Sequence, residues 1–137
     1  MARILIIDDD GLVRTTVQTM LAAGGHDGVL ACDGEDGIRQ FRAQPFDLVL
    51  CDFAMPGKDG LEAIREIREI SAAIPIILMT GSHARATGGA NLDPNFLQRS
   101  SRSGAAKVIA KPFKLDDLLA IVRQCLDASA AGFSKAL

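Results

Sequence analysis

The feature of this sequence that most restricts its fold is the alternation of short apolar runs with longer segments of helical periodicity. Five runs have the length of a strand, and they lie at residues 3–7, 29–31, 48–51, 74–79 and 107–110. The runs are mostly continuous in their apolar character, which is typical of strands that are covered on both faces. The pattern therefore predicts a parallel sheet between two layers of helices.

The segments between the runs carry helical patterns with recognisable ends. A helix over residues 12–23 stops at a glycine pair, and one over residues 35–43 follows the turn-forming Asp33 and Gly34. Residues 60–70 carry an apolar stripe, Asp93 and Pro94 are suited to begin a further helix, and a last helix is expected over residues 115–128. The order is (βα)5. It predicts the α/β class, as a doubly wound three-layer sandwich with a five-stranded parallel sheet.

Composition is that of one globular domain. The 137 residues are 48% hydrophobic, and the formal net charge of −2 gives no general attraction to nucleic acid or to an anionic membrane. No apolar run approaches the roughly 20 residues that cross a bilayer. The first run ends in acids, unlike a signal peptide, so we expect a cytoplasmic protein. Cys32, Cys51 and Cys125 lack paired spacing and are expected to be ordinary buried thiols.

Polar residues follow four of the five predicted strands. They are Asp8, Asp9 and Asp10 after the first strand, Asp52 after the third, Thr80 after the fourth and Lys111 after the fifth. In a doubly wound sheet the carboxyl ends of the strands meet at one rim, where binding sites form. Clustered carboxylates favour a cation, and their hard oxygens suit Mg²⁺. An aspartate there can be a nucleophile that forms an aspartyl phosphate, while a lysine and a hydroxyl hold the phosphoryl oxygens.

Four motifs, in this order along the chain, resemble the receiver domains of two-component response regulators. They are RILIIDDD at residues 3–10, DLVLCDFAMPGKDG at 47–60, PIILMTG at 75–81 and GAAKVIAKPF at 104–113. The resemblance extends from Ala2 to about Ala128. It implies a flavodoxin-like receiver domain at residues 1–128, followed by a C-terminal tail at 129–137 that is frayed or begins a linker.

The resemblance also implies a role for each polar residue at the rim. Asp52 would accept the phosphoryl group. Mg²⁺ would be bound by Asp9, by Asp52 and by the backbone carbonyl of Ala54, and by Asp8 through water. The phosphoryl group would be held by Thr80 and Lys111, and a cis peptide bond would precede Pro112. The donor would be a histidine kinase or a histidine phosphotransfer protein. The output would be contact with a downstream protein, without direct binding of nucleic acid or membrane and without enzymatic activity beyond its own phosphotransfer and dephosphorylation.

Three other interpretations compete with this one. The run IIDDDG at residues 6–11 fits a phosphatase of the haloacid dehalogenase type, with Asp8 as nucleophile and Asp10 as acid and base, but the motif around Asp52 is then unexplained. A flavodoxin-like electron carrier would need a hydroxyl-rich phosphate loop and aromatic partners for a flavin, and the chain has no Trp or Tyr. A receiver that signals by binding alone is disfavoured because the reactive residues are all present. Asp10 is expected to cap the first helix.

The sequence departs from the receiver pattern at three places. Val108 stands where many members carry an aromatic switch residue. Gly28 lies inside the second strand, where glycine weakens pairing or marks a bulge. Residues 81–92 form a long, glycine-containing connection beside the predicted site, and such a length exceeds the usual connection of about 4–6 residues. His26 and His83 fall in predicted loops and are expected to be exposed.

Overall fold

The computed structural model describes residues 2–53, 55, 60–80 and 107–136, with side chains up to residue 129. Ala54, the connection at 81–92 with His83, and the helix predicted to begin at Asp93 lie outside the described residues. The expectations for those residues remain predictions.

The described residues form five strands and four helices. The strands are β1 Arg3–Ile7, β2 Asp27–Ala31, β3 Leu48–Asp52, β4 Ile76–Thr80 and β5 Lys107–Ala110; the helices are α1 Gly11–Ala23, α2 Gly34–Ala43, α3 Gly60–Ile70 and α4 Leu115–Ala136. All neighbouring strands are parallel, and their order is β2-β1-β3-β4-β5. The predicted α/β class and parallel five-stranded sheet are confirmed. None of the four described helices has both the length and the hydrophobicity needed to cross a bilayer.

The core consists of two layers, one on each face of the sheet. Every residue of β3 and β4 is buried. Alternate side chains of the strands face opposite ways, so each strand contributes to both layers. The layer under α2 and α3 includes Leu5, Ile7, Val49, Ile76, Leu78, Ile38, Phe41, Ile64 and Ile67; the other, under α1 and α4, includes Ile4, Ile6, Leu48, Leu50, Ile77, Val17, Leu21, Leu118 and Val122. Burial on both faces explains why the strands lack a polar alternation.

Several element ends differ from the predictions. β2 begins at Asp27 and β4 at Ile76, rather than at residues 29 and 74. The larger correction concerns the C-terminus, where α4 continues to Ala136 instead of ending near Ala128. Residues 128–131 read Ala-Ser-Ala-Ala, which favours helix and offers no stop signal, so residues 129–136 are helical rather than frayed.

Two smaller expectations also need correction. Cys32 is exposed, because it follows the last residue of β2 at the start of a turn, whereas Cys51 and Cys125 are buried as expected. His26 is half-buried rather than exposed, since its Nδ1 accepts a hydrogen bond from the Ala2 N–H at 3.3 Å.

Gly28 marks a close approach of a helix, not a bulge. The pairing of β1 with β2 is continuous across it, from Arg3 opposite Asp27 to Ile7 opposite Ala31. A Cβ atom at residue 28 would lie 2.9 Å from Ile6 Cδ1 and 3.3 Å from Gln18 Cγ. Gln18 Nε2 also donates to the Gly28 carbonyl at 2.9 Å. The glycine therefore lets α1 pack against this edge of the sheet.

Gly60, the first residue of α3, contacts the backbone of the strand that carries Asp52. Its N–H donates to the carbonyl of Phe53 at 2.9 Å. A Cβ atom at this position would lie 2.2 Å from the Asp52 carbonyl oxygen and 2.8 Å from Phe53 Cα. Both are backbone atoms, so a side chain here would displace α3 or the end of β3.

We therefore predict that Gly60→Ala lowers the unfolding free energy by about 3 kcal/mol, the upper end of the range for overpacking. Gly11→Ala is the control, because a Cβ there meets only the flexible end of Arg14. We expect it to change stability by less than about 1 kcal/mol. Urea unfolding of both variants measures the difference, and equal stabilities would contradict the proposed contact.

Candidate functional site

The strand order places the site between β1 and β3. The chain passes from β1 outward to β2, then returns across β1 to β3, so the connections leave these two neighbours in opposite directions. Such a switch point opens a crevice beyond the carboxyl ends of the strands. β3 ends at Asp52, and β1 ends one residue before Asp8.

Three aspartates meet in this crevice. Asp8, Asp9 and Asp52 each have a carboxylate oxygen within 4.8 Å of those of the other two. Asp8 is fully buried and Asp52 is only 4% exposed, whereas Asp9 is exposed to solvent. Like charges this close disfavour one another, and hard carboxylate oxygens are suited to a cation such as Mg²⁺. The donor set therefore fits a magnesium ion.

A lysine ammonium lies between the two buried carboxylates. Lys111 Nζ donates to Asp8 Oδ2 at 2.7 Å and lies 3.0 Å from Asp52 Oδ1. The Lys111 N–H donates to the Thr80 carbonyl at 2.8 Å, and a cis peptide bond joins Lys111 to Pro112, as the receiver resemblance implies. Burial lowers the pKa of Lys111, but the Asp8 and Asp52 carboxylates outweigh it and raise the pKa above its usual value. The ammonium therefore stays charged.

Asp8 has partners for every backbone and side-chain oxygen. Its Oδ2 accepts from Lys111, and its Oδ1 accepts from the Asp10 N–H at 2.9 Å. Its carbonyl accepts from Arg14 Nη1 at 2.7 Å, and its own N–H donates to the Ala31 carbonyl at 3.2 Å. Burying a carboxylate is costly unless such partners satisfy its oxygens. Asp8 is thus held in place by protein donors at the centre of the site.

Asp52 is less completely satisfied. Asp52 Oδ1 lies 3.0 Å from Lys111 Nζ, which is close enough for an ion pair, but the two groups are not aligned for a hydrogen bond. This buried oxygen therefore has no hydrogen-bond partner among the described residues. Burial raises the pKa of Asp52 to about 6; Lys111 opposes this rise, and Asp8 and Asp9 add to it. A buried oxygen of this kind is a marker of a functional group.

The other residues singled out in the sequence lie at or near the same rim or on the neighbouring elements. Thr80 ends β4 at the same rim and is buried. Asp10 caps α1, because its Oδ1 accepts from the N–H groups of Leu12 and Val13, which confirms the capping interpretation. Val108 lies on β5 and is 43% exposed. Sequence reasoning missed Arg14, since an arginine four residues into a helix is ordinarily a solvated residue.

Comparisons with known proteins agree with this architecture. A family model for the response regulator receiver domain matches residues 4–123. The transcriptional regulatory protein ZraR of Escherichia coli is 34% identical over 123 residues, which are 90% of this chain and 26% of ZraR. The chain spans 26% to 50% of the length of the curated relatives that it matches.

Solved structures show the same fold. The chemotaxis protein CheY4 of Vibrio cholerae superposes with a TM-score of 0.80 at 25% identity, over 91% of this chain and 98% of that chain. A CheY-like receiver domain protein of Methanospirillum hungatei superposes with a TM-score of 0.86 at 24% identity, over 96% of this chain and 98% of that chain. Its identity is low, so this second structure supports the fold alone.

We predict that Asp52 of the metal-free protein titrates near pH 6, because burial disfavours its charged form. Lys111→Met is expected to raise this pKa further by removing the nearby cation. Carboxyl ¹³C chemical shifts measured against pH, with Asp52→Asn to assign the signal, give both values. A titration near the ordinary pKa of 3.8 would contradict the burial of this group.

The raised pKa of Asp52 makes the stability of the folded protein depend on pH. Between about pH 4 and pH 6 the unfolded chain has released this proton while the folded protein keeps it. The contribution of Asp52 to stability is therefore present at low pH and is lost as the pH rises through 6. We expect Asp52→Asn to raise the melting temperature of the metal-free protein at pH 7.5 but not at pH 4. An equal effect at both values would contradict the assignment.

Proposed function

Because this chain belongs to the response regulator receiver domain family, we propose that it is a phosphorylated switch in which Asp52 accepts the phosphoryl group. The proposed signalling unit is residues 1–128. The proposed donor is a phosphohistidine on a histidine kinase or on a histidine phosphotransfer protein. The observation that carries the proposal is the buried Asp52 oxygen, which lies 3.0 Å from the Lys111 ammonium and has no hydrogen-bond partner among the described residues.

The reaction requires an ionised carboxylate at residue 52. One Asp52 oxygen forms a P–O bond to the phosphorus as the P–N bond of the phosphohistidine breaks. The imidazole leaves with the bonding electron pair and takes up a proton. Lys111 already contacts Asp52 and is positively charged, so it is suited to neutralise the phosphoryl oxygens during this step.

The proposed cofactor is Mg²⁺, bound by Asp9 and Asp52 directly and by Asp8 through water. The fit rests on the three carboxylates that converge within 4.8 Å and on the unsatisfied Asp52 oxygen. When bound, the ion supplies positive charge to the phosphoryl oxygens. The Ala54 carbonyl remains a further proposed ligand from the sequence motif alone. Asp8 is suited to an indirect role, because both of its carboxylate oxygens already accept hydrogen bonds from the protein.

Thr80 is proposed to hold the phosphoryl group from the end of β4, where it is buried at the same rim. We propose that the output is contact with a downstream protein rather than catalysis on a separate substrate. Relatives such as ZraR are named as transcriptional regulatory proteins, and this chain covers only 26% of that relative. Any action on nucleic acid is therefore proposed to lie outside the receiver domain itself.

The phosphatase interpretation finds no support. It needs Asp8 as a free nucleophile and Asp10 as an acid and base. Asp8 instead accepts hydrogen bonds from Lys111 and from the Asp10 N–H, and the Asp10 carboxylate caps α1. Neither group is arranged for the role that this chemistry would require.

We predict that Asp52→Asn abolishes acyl-phosphate formation, since the nucleophilic oxygen is lost. Intact mass after incubation with acetyl phosphate and Mg²⁺ should show a gain of one phosphoryl group in the wild type, removable by hydroxylamine, and no gain in the variant. Asp10→Asn is the matched control: it removes a charge from the same rim and keeps a good helix cap. A phosphoryl group mapped to Asp8 would overturn the proposal.

We also predict that Asp9→Asn stabilises the metal-free protein while weakening Mg²⁺ binding. Two like charges about 4 Å apart in water repel by about 1 kcal/mol, so relief of this repulsion should raise the melting temperature by a few degrees. Melting curves with and without Mg²⁺ test both effects, again with Asp10→Asn as control. A lower melting temperature in metal-free Asp9→Asn, or an unchanged response to Mg²⁺, would contradict the assignment.

A further inference from the structure

No contact with the side chain of Asp9, a proposed metal ligand, holds it in position among the described residues. It is exposed, and its carboxylate makes no hydrogen bond to any other described residue. Its position in the crevice therefore depends on the main chain that leads from β1 into α1. What holds that turn in place determines where the Asp9 oxygens lie.

One residue contacts the backbone on both sides of Asp9. The Arg14 guanidinium Nη1 donates to the Asp8 carbonyl at 2.7 Å. The Arg14 backbone N–H donates to the Asp10 carbonyl at 3.0 Å, as the first hydrogen bond of α1. The second bond is available to any residue at this position, whereas the first requires a long side chain with a donor at its end.

The arginine reaches Asp8 by folding back over Gly11. A Cβ atom at Gly11 would lie 3.3 Å from Arg14 Nη2 and 4.0 Å from Arg14 Cζ. Such a distance is tight for a Cβ contact, so the absence of a side chain at Gly11 leaves the room that the guanidinium occupies. Arg14 is itself partly buried. The contact is thus part of the packed turn and not a surface coincidence.

We propose that Arg14 is a positioning residue for the proposed magnesium site: by holding the Asp8 carbonyl it fixes the turn that presents Asp9 to the ion. This inference rests on the proposed function. Arg14 contacts no carboxylate of the site in this arrangement, and its role is exerted through the backbone. Removing its planar donor allows the turn to adopt other conformations, and Mg²⁺ binding must then order it again.

The sign of the effect separates positioning from simple electrostatics. A cation near three carboxylates opposes the binding of another cation, so charge alone predicts that loss of Arg14 tightens Mg²⁺ binding. Positioning predicts the opposite. We expect Arg14→Met to weaken Mg²⁺ binding roughly three- to tenfold, the range that corresponds to the loss of one hydrogen bond.

Isothermal titration with Mg²⁺ at pH 7.5 measures this directly for the wild type, Arg14→Met and Arg14→Lys. Arg14→Lys keeps the charge but loses the planar fork, and we expect it to bind Mg²⁺ more weakly than the wild type. Arg42→Met is the matched control, because Arg42 is exposed at the end of α2 away from the rim. In phosphorylation with acetyl phosphate, saturating Mg²⁺ should restore the rate of Arg14→Met, which a general loss of structure would not allow.

Gly11→Val provides a second test that keeps Arg14. Its larger side chain fills the space of the guanidinium, and it should weaken Mg²⁺ binding similarly, with no further loss in the double variant Gly11→Val/Arg14→Met. If the wild type binds no Mg²⁺, the proposed function fails. If the wild type binds Mg²⁺ while Arg14→Met or Gly11→Val binds it equally well or more tightly, the positioning role alone is overturned.

Discussion

The site depends on the Lys111 ammonium that lies between the Asp8 and Asp52 carboxylates. Asp8 and Lys111 are 103 residues apart, yet Nζ and Oδ2 approach to 2.7 Å. Two carboxylates that are almost wholly removed from water repel each other. The ammonium offsets this repulsion and reduces the rise in the pKa of Asp52. The same contact joins the residue after β1 to the residue after β5, and β3 and β4 lie between these two strands in the sheet.

Much of this arrangement follows from patterns that are local in the sequence. The apolar runs identify the strands because both faces of the sheet are covered, and acids directly after a buried run must lie at the carboxyl end of a strand. The β2-β1-β3-β4-β5 order then brings Asp8 beside Asp52. The position of Lys111 directly after the fifth apolar run predicts that it lies at the same rim. The Asp10 cap can also be predicted from the sequence, because a helix cap involves residues only two or three positions apart.

Other features depend on contacts that no local pattern encodes. Gly60 is required because a Cβ atom at this first residue of α3 would lie only 2.2 Å from the Asp52 carbonyl oxygen. Gly28 is required because a side chain there would crowd Ile6 of the neighbouring strand and Gln18 of α1. Arg14 looks like a solvated helical arginine until the direction of its side chain is known. The length of α4 was underestimated because helix propensity without an apolar stripe is a weak signal.

The three carboxylates differ in how completely the protein satisfies them, and this difference suits a reversible switch. Asp8 accepts protein hydrogen bonds at both carboxylate oxygens, whereas the buried Asp52 oxygen that pairs with Lys111 has no hydrogen bond. Asp9 is exposed to solvent. A buried anion with all its partners costs little to maintain, whereas a buried anion that lacks a partner lowers stability until a ligand compensates it. Among the three carboxylates this cost therefore falls on the buried Asp52, the proposed phosphoryl acceptor and metal ligand. A ligand that supplies the missing partner to Asp52 would stabilise the folded state, whereas both carboxylate oxygens of Asp8 already have protein partners.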